Sequence, residues 1–157
     1  MVKLWLNVSV KGVALNNMKK ILLASHGKLA SGLKSTLEFF LGESENLFAV
    51  NAYIDSSDDY LQEIKKFIDS VTEDEAIIFT DIYGGSVNQQ VTTLVIDSGK
   101  NIPIITSMNL PIVLSIALSE EKVTSELLDS MVAECAPKYV SIQTTVEEGD
   151  EEDDFFA

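Results

Sequence analysis

Residues 76–86 read AIIFTDIYGGS, in which five uncharged, mostly apolar residues are followed by an acid and then by a glycine turn. The first half has the length and composition of a β-strand that is buried on both faces. Asp81 follows it directly, and Gly84-Gly85-Ser86 interrupts the chain before a helical pattern at about 87–97. In open α/β sheets, ligands bind beyond the carboxyl ends of the strands. The stretch therefore predicts a parallel sheet and also where its site lies.

Apolar runs and helical patterns alternate through the rest of the chain. The predicted strands are 21–24, 47–53, 76–80, 102–106 and 139–142, and the predicted helices are 29–41, one capped by Ser56 or Ser57, 87–97, 111–119 and 124–135. Strands this apolar are typical of parallel sheets that helices cover on both faces. The sequence thus predicts an α/β fold, an open, doubly wound, mostly parallel sheet with helices on both faces.

Composition excludes several classes of protein. The 157 residues are 46% hydrophobic, which argues against global disorder, and no apolar run reaches the roughly 18 residues that cross a bilayer. Acids outnumber bases 25 to 11 and arginine is absent, so the chain is a poor candidate for binding nucleic acid or anionic membranes. One cysteine and one histidine rule out an intrachain disulfide and argue against a zinc site, and we expect no metal and no cofactor.

The two ends of the chain differ from its middle. Residues 147–157 carry seven acids and no base, and we expect a disordered acidic tail. Residues 1–17 lack the apolar core of a signal peptide, and we interpret them as an extension outside the core, with an added edge strand as the alternative. The single domain is then expected to span 18–146, with a strand near 139–142 that could pair with the sheet edge of a second copy.

Three features of the predicted sheet edge suggest chemistry. His26, the only histidine, ends the first strand and Asp81 ends the third, and a carboxylate on one ring nitrogen leaves the other with a free lone pair. Gly84-Gly85-Ser86 at a helix start offers backbone N–H groups to an anion. Taken singly, a strand-end histidine, an aspartate cap and a glycine turn are more often structural than functional. Their convergence favours a histidine that carries phosphate.

The residues around these features resemble a known family. ASHGKLA at 24–30, FTDIYGGSVN at 79–88 and MNLP at 108–111 look like the mannose-family IIA component of the bacterial phosphoenolpyruvate-dependent sugar phosphotransferase system. The resemblance covers about residues 18–142. It departs at Val87, where family members often have proline, and no counterpart of residues 1–17 is evident.

The resemblance implies a cytoplasmic phosphocarrier. Such a protein takes phosphate from phospho-HPr and passes it to the IIB component of a sugar permease, which makes its contact with the membrane indirect. It implies that His26 is phosphorylated, that Asp81 is its carboxylate partner, and that phosphate is surrounded by the residues Ser25, Gly27, Gly84, Gly85 and Ser86. Family members form homodimers that exchange a C-terminal strand, here near 139–142.

Three other functions remain open at the level of sequence. A related phosphotransferase subunit feeds a dihydroxyacetone kinase instead of a permease. A serine hydrolase could use Ser86, His26 and Asp81, although Ser86 lacks the G-x-S-x-G turn expected of one in such a fold. A silent binding domain would keep the fold without phosphorylation.

Overall fold

The computed structural model describes residues 19–55 and 59–142 of the chain. Its elements follow the predicted alternation of strands and helices. In chain order they are β1 (Lys20–His26), α1 (Leu29–Leu41), β2 (Leu47–Ala52), α2 (Tyr60–Ser70), β3 (Ala76–Thr80), α3 (Ser86–Ser98), β4 (Ile104–Ile105), α4 (Leu110–Leu118) and α5 (Ser125–Glu134). Within these ranges no helix is long and apolar enough to cross a membrane.

The four strands form one parallel sheet in the order β2-β1-β3-β4. β1 therefore lies between β2 and β3, although β3 follows it only after two helices. This order is that of a doubly wound sheet, and the predicted fold class is confirmed. In the register of the two central strands, Ala24 faces Thr80. His26 and Asp81 consequently lie close to each other at the edge of the sheet where the carboxyl ends of β1 and β3 meet.

Each face of the sheet has its own apolar core. Alternate residues of β1 point to opposite faces, so Leu22 and Ala24 pack with α2 and α3, whereas Ile21 and Leu23 pack with α1 and α4. Both central strands are covered on both sides, and every residue of β3 is buried. This explains why their sequences are continuous apolar runs instead of alternating patterns.

Some predicted elements differ in the structure. β4 is only two residues long, and β2 ends at Ala52, one residue before the predicted end. The predicted caps Ser56 and Ser57 lie outside the described residues, as do 1–17 and 147–157. The predicted last strand at 139–142 is wrong for the single chain: these residues are exposed and pair with no strand of the described sheet. An apolar alternation indicates strand propensity, but a strand forms only where a sheet edge pairs with it.

Candidate functional site

The site lies where β1 and β3 end side by side. Alternation along β1 decides which side chains reach it, because His26 follows Leu22 and Ala24 onto the face that α2 and α3 cover. The side chain of His26 stays 35% exposed, whereas that of Asp81 is 7% exposed. The sheet therefore presents an accessible imidazole backed by a buried carboxylate.

Asp81 holds His26 by both its main chain and its ring. Asp81 Oδ2 accepts hydrogen bonds from the His26 backbone N–H at 2.9 Å and from ring Nδ1 at 2.8 Å. Its other oxygen, Oδ1, accepts from the backbone N–H of Ile82 at 2.9 Å. A carboxylate only accepts, so Nδ1 carries a proton, and in the neutral imidazole Nε2 keeps its lone pair. The ring is thus fixed in orientation and in tautomer.

The electrostatics of this pair keep the carboxylate charged. Burial alone would raise the pKa of Asp81, but hydrogen bonds from the His26 ring and backbone, the Coulombic interaction with His26 and the Ile82 N–H outweigh it. The pKa of Asp81 is therefore held below its ordinary value. The negative charge behind the ring persists at neutral pH, where it can stabilise positive charge that develops on the imidazole.

The second ring nitrogen meets a hydroxyl of α3. His26 Nε2 lies 3.0 Å from Ser86 Oγ, and the hydroxyl of Tyr53 donates to the same oxygen at 3.0 Å. The Tyr53 ring stacks on the imidazole with a centroid distance of 5.5 Å. The Nε2 side of the ring is therefore bordered by two hydroxyls, those of Ser86 and Tyr53.

Side-chain bonds hold the glycine turn before α3. Gly84 adopts a left-handed φ of +70° and its N–H donates to Asn88 Oδ1, while Asn88 Nδ2 donates to Thr80 Oγ1. The turn is thereby tied to the end of β3. The N–H groups in the first turn of α3 have no acceptor within the helix, and the helix dipole is positive there. This end of α3, next to Ser86, suits an anion.

Gly84→Ala is expected to lower the free energy of unfolding by about 1–2 kcal/mol, because alanine is strained at left-handed φ although space for its Cβ is open. Gly32→Ala is the matched control, since Gly32 lies inside α1 with equally open space for a Cβ. This substitution should raise the free energy of unfolding by about 0.5–1 kcal/mol. Urea unfolding of wild type and both variants measures whether each substitution lowers or raises the free energy of unfolding. Equal stabilisation by both substitutions would contradict the role given to the Gly84 turn.

Two predicted phosphate-binding residues, Ser25 and Gly27, make hydrogen bonds to other parts of the protein. Alternation turns Ser25 to the opposite face from His26, where it is fully buried and its Oγ accepts from the backbone N–H of Ala30. The Gly27 N–H donates to Ala52 O at 2.9 Å. Asn51 Oδ1 accepts a hydrogen bond from the Ser31 N–H. The backbone N–H groups of Ala30 and Ser31 at the start of α1 are therefore already bonded to side chains of the protein. The structure therefore brings together His26, Asp81 and Ser86 beside the turn of Gly84 and Gly85, whereas the Ser25 Oγ and the Gly27 N–H are bonded within the protein.

Sequence reasoning missed the aromatic side of the site. Tyr53 and Tyr60 belong to it through their hydroxyls, which are 3.1 Å apart, and Tyr60 also bonds to the side chain of Gln90. The only feature of the sequence that could have indicated Tyr53 is its position at the carboxyl end of β2, which corresponds to that of His26 at the end of β1. Among the described residues, no group of three or more histidine, cysteine or acidic side chains could hold a metal ion.

A family model matches residues 20–134, which include every element of the described structure. It is the EIIA-man model, described as the fructose IIA component of the phosphotransferase system (PTS). The chain belongs to this family. The resemblance to mannose-type IIA components seen in the sequence is confirmed. No curated protein sequence matches significantly.

Solved structures of PTS IIA components share the fold of this IIA-family chain. The PTS IIA protein associated with the fucose utilization operon of Streptococcus pneumoniae is 25% identical, with a TM-score of 0.60, and the match covers 75% of this chain and 90% of that one. EIIA from Streptococcus agalactiae is 23% identical, with a TM-score of 0.62 and coverages of 73% and 89%. The mannose/sorbose-specific IIA subunit from Enterococcus faecalis, 16% identical, has a TM-score of 0.65 and coverages of 82% and 99%.

Proposed function

We propose that this PTS IIA protein carries a phosphoryl group on Nε2 of His26, taken from phospho-HPr and given to the IIB component of a sugar permease. One observation carries the proposal. The protein's only histidine is partly exposed at the end of a central strand, with Nδ1 held by a buried carboxylate and Nε2 facing the Ser86 hydroxyl at the start of α3. In this role the protein acts in the cytoplasm and meets the membrane only through the permease.

The roles of the surrounding residues follow from the charges that move. Nε2 attacks phosphorus with its lone pair, and positive character on the ring is stabilised by Asp81. The phosphoryl oxygens lie where Ser86 and the first turn of α3 present donors, with Gly84 and Gly85 allowing the backbone to approach. Ser25 and Gly27 contribute by fixing the junction between β1 and α1. Transfer needs positioning and charge stabilisation more than covalent machinery.

The acceptor protein distinguishes the proposal from its rivals. Labelled phosphate is first loaded from phospho-HPr, and the purified phosphoprotein is then mixed with the IIB component or with a dihydroxyacetone kinase. Rapid transfer of labelled phosphate to IIB supports the proposal. Transfer only to the kinase would instead identify the chain as the phosphotransferase subunit that feeds a dihydroxyacetone kinase. Trapping of an acyl group on Ser86 by an activated ester would indicate a hydrolase.

A second copy of the chain is the partner proposed for the β4 edge. A groove of about 780 Å³ lies between β4 and α5 and includes Ile104, Ile105 and Leu128 in its wall. Thr106 Oγ1 is buried there without a hydrogen-bond partner among the described residues. Tyr139, which is 92% exposed in the single chain, belongs to an apolar segment that could fill such a groove by adding a strand.

The protein is therefore expected to be a homodimer that depends on this segment. Val140→Lys combined with Ile142→Lys should shift the mass toward a 17.2 kDa monomer, because the added charges would have to be buried at the interface. Light scattering at micromolar concentration measures the mass. The control is Ile96→Lys, an exposed apolar residue on α3. A wild-type protein that is monomeric throughout this range would contradict the expectation.

Deletion of the acidic tail, residues 147–157, is expected to leave the rate of phosphoryl transfer from phospho-HPr within about twofold of wild type. The tail's charges repel one another and its sequence has no pattern that faces a core. The measurement is the initial labelling rate of the truncated and full chains at equal concentration. A collapse of that rate would mean that the tail docks a partner protein.

A further inference from the structure

Tyr53 combines three features that a surface side chain rarely has together. Its backbone lies in the left-handed region, with φ +61°, although it is not glycine. Its ring stacks on His26 at an interplanar angle of 21°, and its hydroxyl donates to Ser86 Oγ. Strained backbone at a bulky residue persists only where the surroundings hold it, and it clusters at functional sites.

The hydrogens in this group have one consistent direction from Tyr53 to the nucleophile. Asp81 accepts a hydrogen bond from Nδ1–H, so in the neutral imidazole Nε2 can only accept, and the hydrogen between Nε2 and Ser86 belongs to Ser86. Ser86 Oγ in turn accepts the hydrogen of Tyr53. A hydroxyl has only one hydrogen, so the bond from Tyr53 leaves Ser86 free to donate only toward the ring side of the site.

We propose that Tyr53 is a positioning residue for phosphoryl transfer and acts through Ser86. Its donated bond keeps the hydrogen of Ser86 directed at the place where the phosphoryl group arrives, and it polarises that hydroxyl. The inference rests on the proposed phosphocarrier function. It adds to that function a residue whose hydroxyl need not touch the phosphate itself.

The transfer step balances without a proton changing owner. The lone pair of His26 Nε2 forms the new N–P bond, while the N–P bond of the donor breaks and its electron pair stays on the donor nitrogen. The hydrogen of Ser86 leaves its contact with Nε2 and is donated to a phosphoryl oxygen. Tyr53 still donates to Ser86 Oγ before and after the step, so the orientation of Ser86 is set in advance.

A docking role for Tyr53 is the competing explanation, since 49% of the residue is exposed beside the nucleophile. The two roles differ in what they depend on. Docking requires a protein donor and is independent of Ser86, whereas positioning requires Ser86 and is independent of the donor's size. Potassium phosphoramidate, a small phosphoryl donor, separates them because it offers no protein surface.

The test is a double-mutant cycle with Tyr53→Phe, Ser86→Ala and the two combined, in which labelling of His26 by phosphoramidate is followed. Tyr53→Phe keeps the ring and is expected to slow labelling about 3–10-fold in the wild-type background and to change it less than about 1.5-fold once Ser86 is alanine. With phospho-HPr, the same variant should lower kcat and leave KM unchanged. Tyr83→Phe, which removes a hydroxyl from an 82% exposed residue near the same sheet edge, is the control.

Additive effects of the two substitutions would overturn the proposal, and so would slowing that appears only with phospho-HPr as an increase in KM. Circular dichroism and the thermal midpoint of each variant check that the fold is unchanged. Failure of the phosphocarrier function gives a different result. In that case wild type is not labelled by phospho-HPr, while labelling by phosphoramidate still reports the coupling of Tyr53 and Ser86.

Discussion

His26→Ala is expected to abolish transfer of labelled phosphate from phospho-HPr, with incorporation falling to background. The chain has no second histidine that could replace it, and Nε2 of His26 lies 3.0 Å from Ser86 Oγ at the start of α3, where the proposal places the phosphoryl group. The label on wild type should be lost in acid and kept in base, as expected of an N–P bond. Mass spectrometry of the intact chain with and without brief acid treatment measures both properties.

The alanine variant must remain folded for this result to count. The His26 side chain is partly exposed and belongs to neither apolar core, so its loss leaves both cores intact. The thermal midpoint should therefore change by only a few degrees. Label that persists on the alanine variant would contradict phosphorylation of His26. Acid-stable label on Ser86 in wild type would do so as well, because a phosphoserine survives acid.

Asp81→Asn is expected to slow phosphoryl transfer by at least about 10-fold, a barrier increase of about 1.4 kcal/mol. Asp81 accepts three N–H bonds with two oxygens, and asparagine has only one acceptor oxygen. An amide NH₂ that faces the ring would donate to Nδ1 and move the ring proton to Nε2, which removes the nucleophilic lone pair. Single-turnover labelling measures the rate, and Asp69→Asn, at an exposed ion pair with Lys65, is the control.

The same substitution has an expected signature in stability. The folded-state pKa of Asp81 lies below its ordinary value of 3.8, so the ionised carboxylate stabilises the fold fully above about pH 4. This contribution is lost as the pH falls through the lower folded-state pKa. Unfolding curves of wild type and Asp81→Asn should therefore differ at neutral pH and converge in acid. A difference that is independent of pH, together with wild-type transfer rates, would remove Asp81 from the mechanism.

The sequence predicted those parts of the molecule that depend on local pattern. The apolar runs of β1 and β3 identify buried parallel strands, and the end of each strand located His26 and Asp81. That the two would bond followed from strands sharing one edge. It required only that β1 and β3 be neighbours, which the doubly wound order provides.

The direction of individual side chains and the pairing partner of a strand were harder to predict from the sequence. Ser25 is adjacent to His26 in sequence, yet strand alternation sends it to the other face, where it caps α1. Tyr53 stacks on His26 from a left-handed backbone, a conformation that no propensity assigns to tyrosine. The segment at 139–142 has the pattern of a strand, but in the single chain it is exposed and pairs with no strand of the described sheet.

The placement of β1 beside β3 also determines when the proposed phosphate-accepting site is first assembled. His26 and Asp81 are separated by 55 residues, and Ser86 follows five residues later. A nascent chain that has paired only β1 with β2 holds an imidazole without its carboxylate, and closing the longer loop has an entropic cost that grows with the logarithm of its length. Parallel pairing of this kind forms slowly compared with local helices. Labelling of His26 during refolding would therefore report the central strand pair, and it should lag behind the recovery of helical signal.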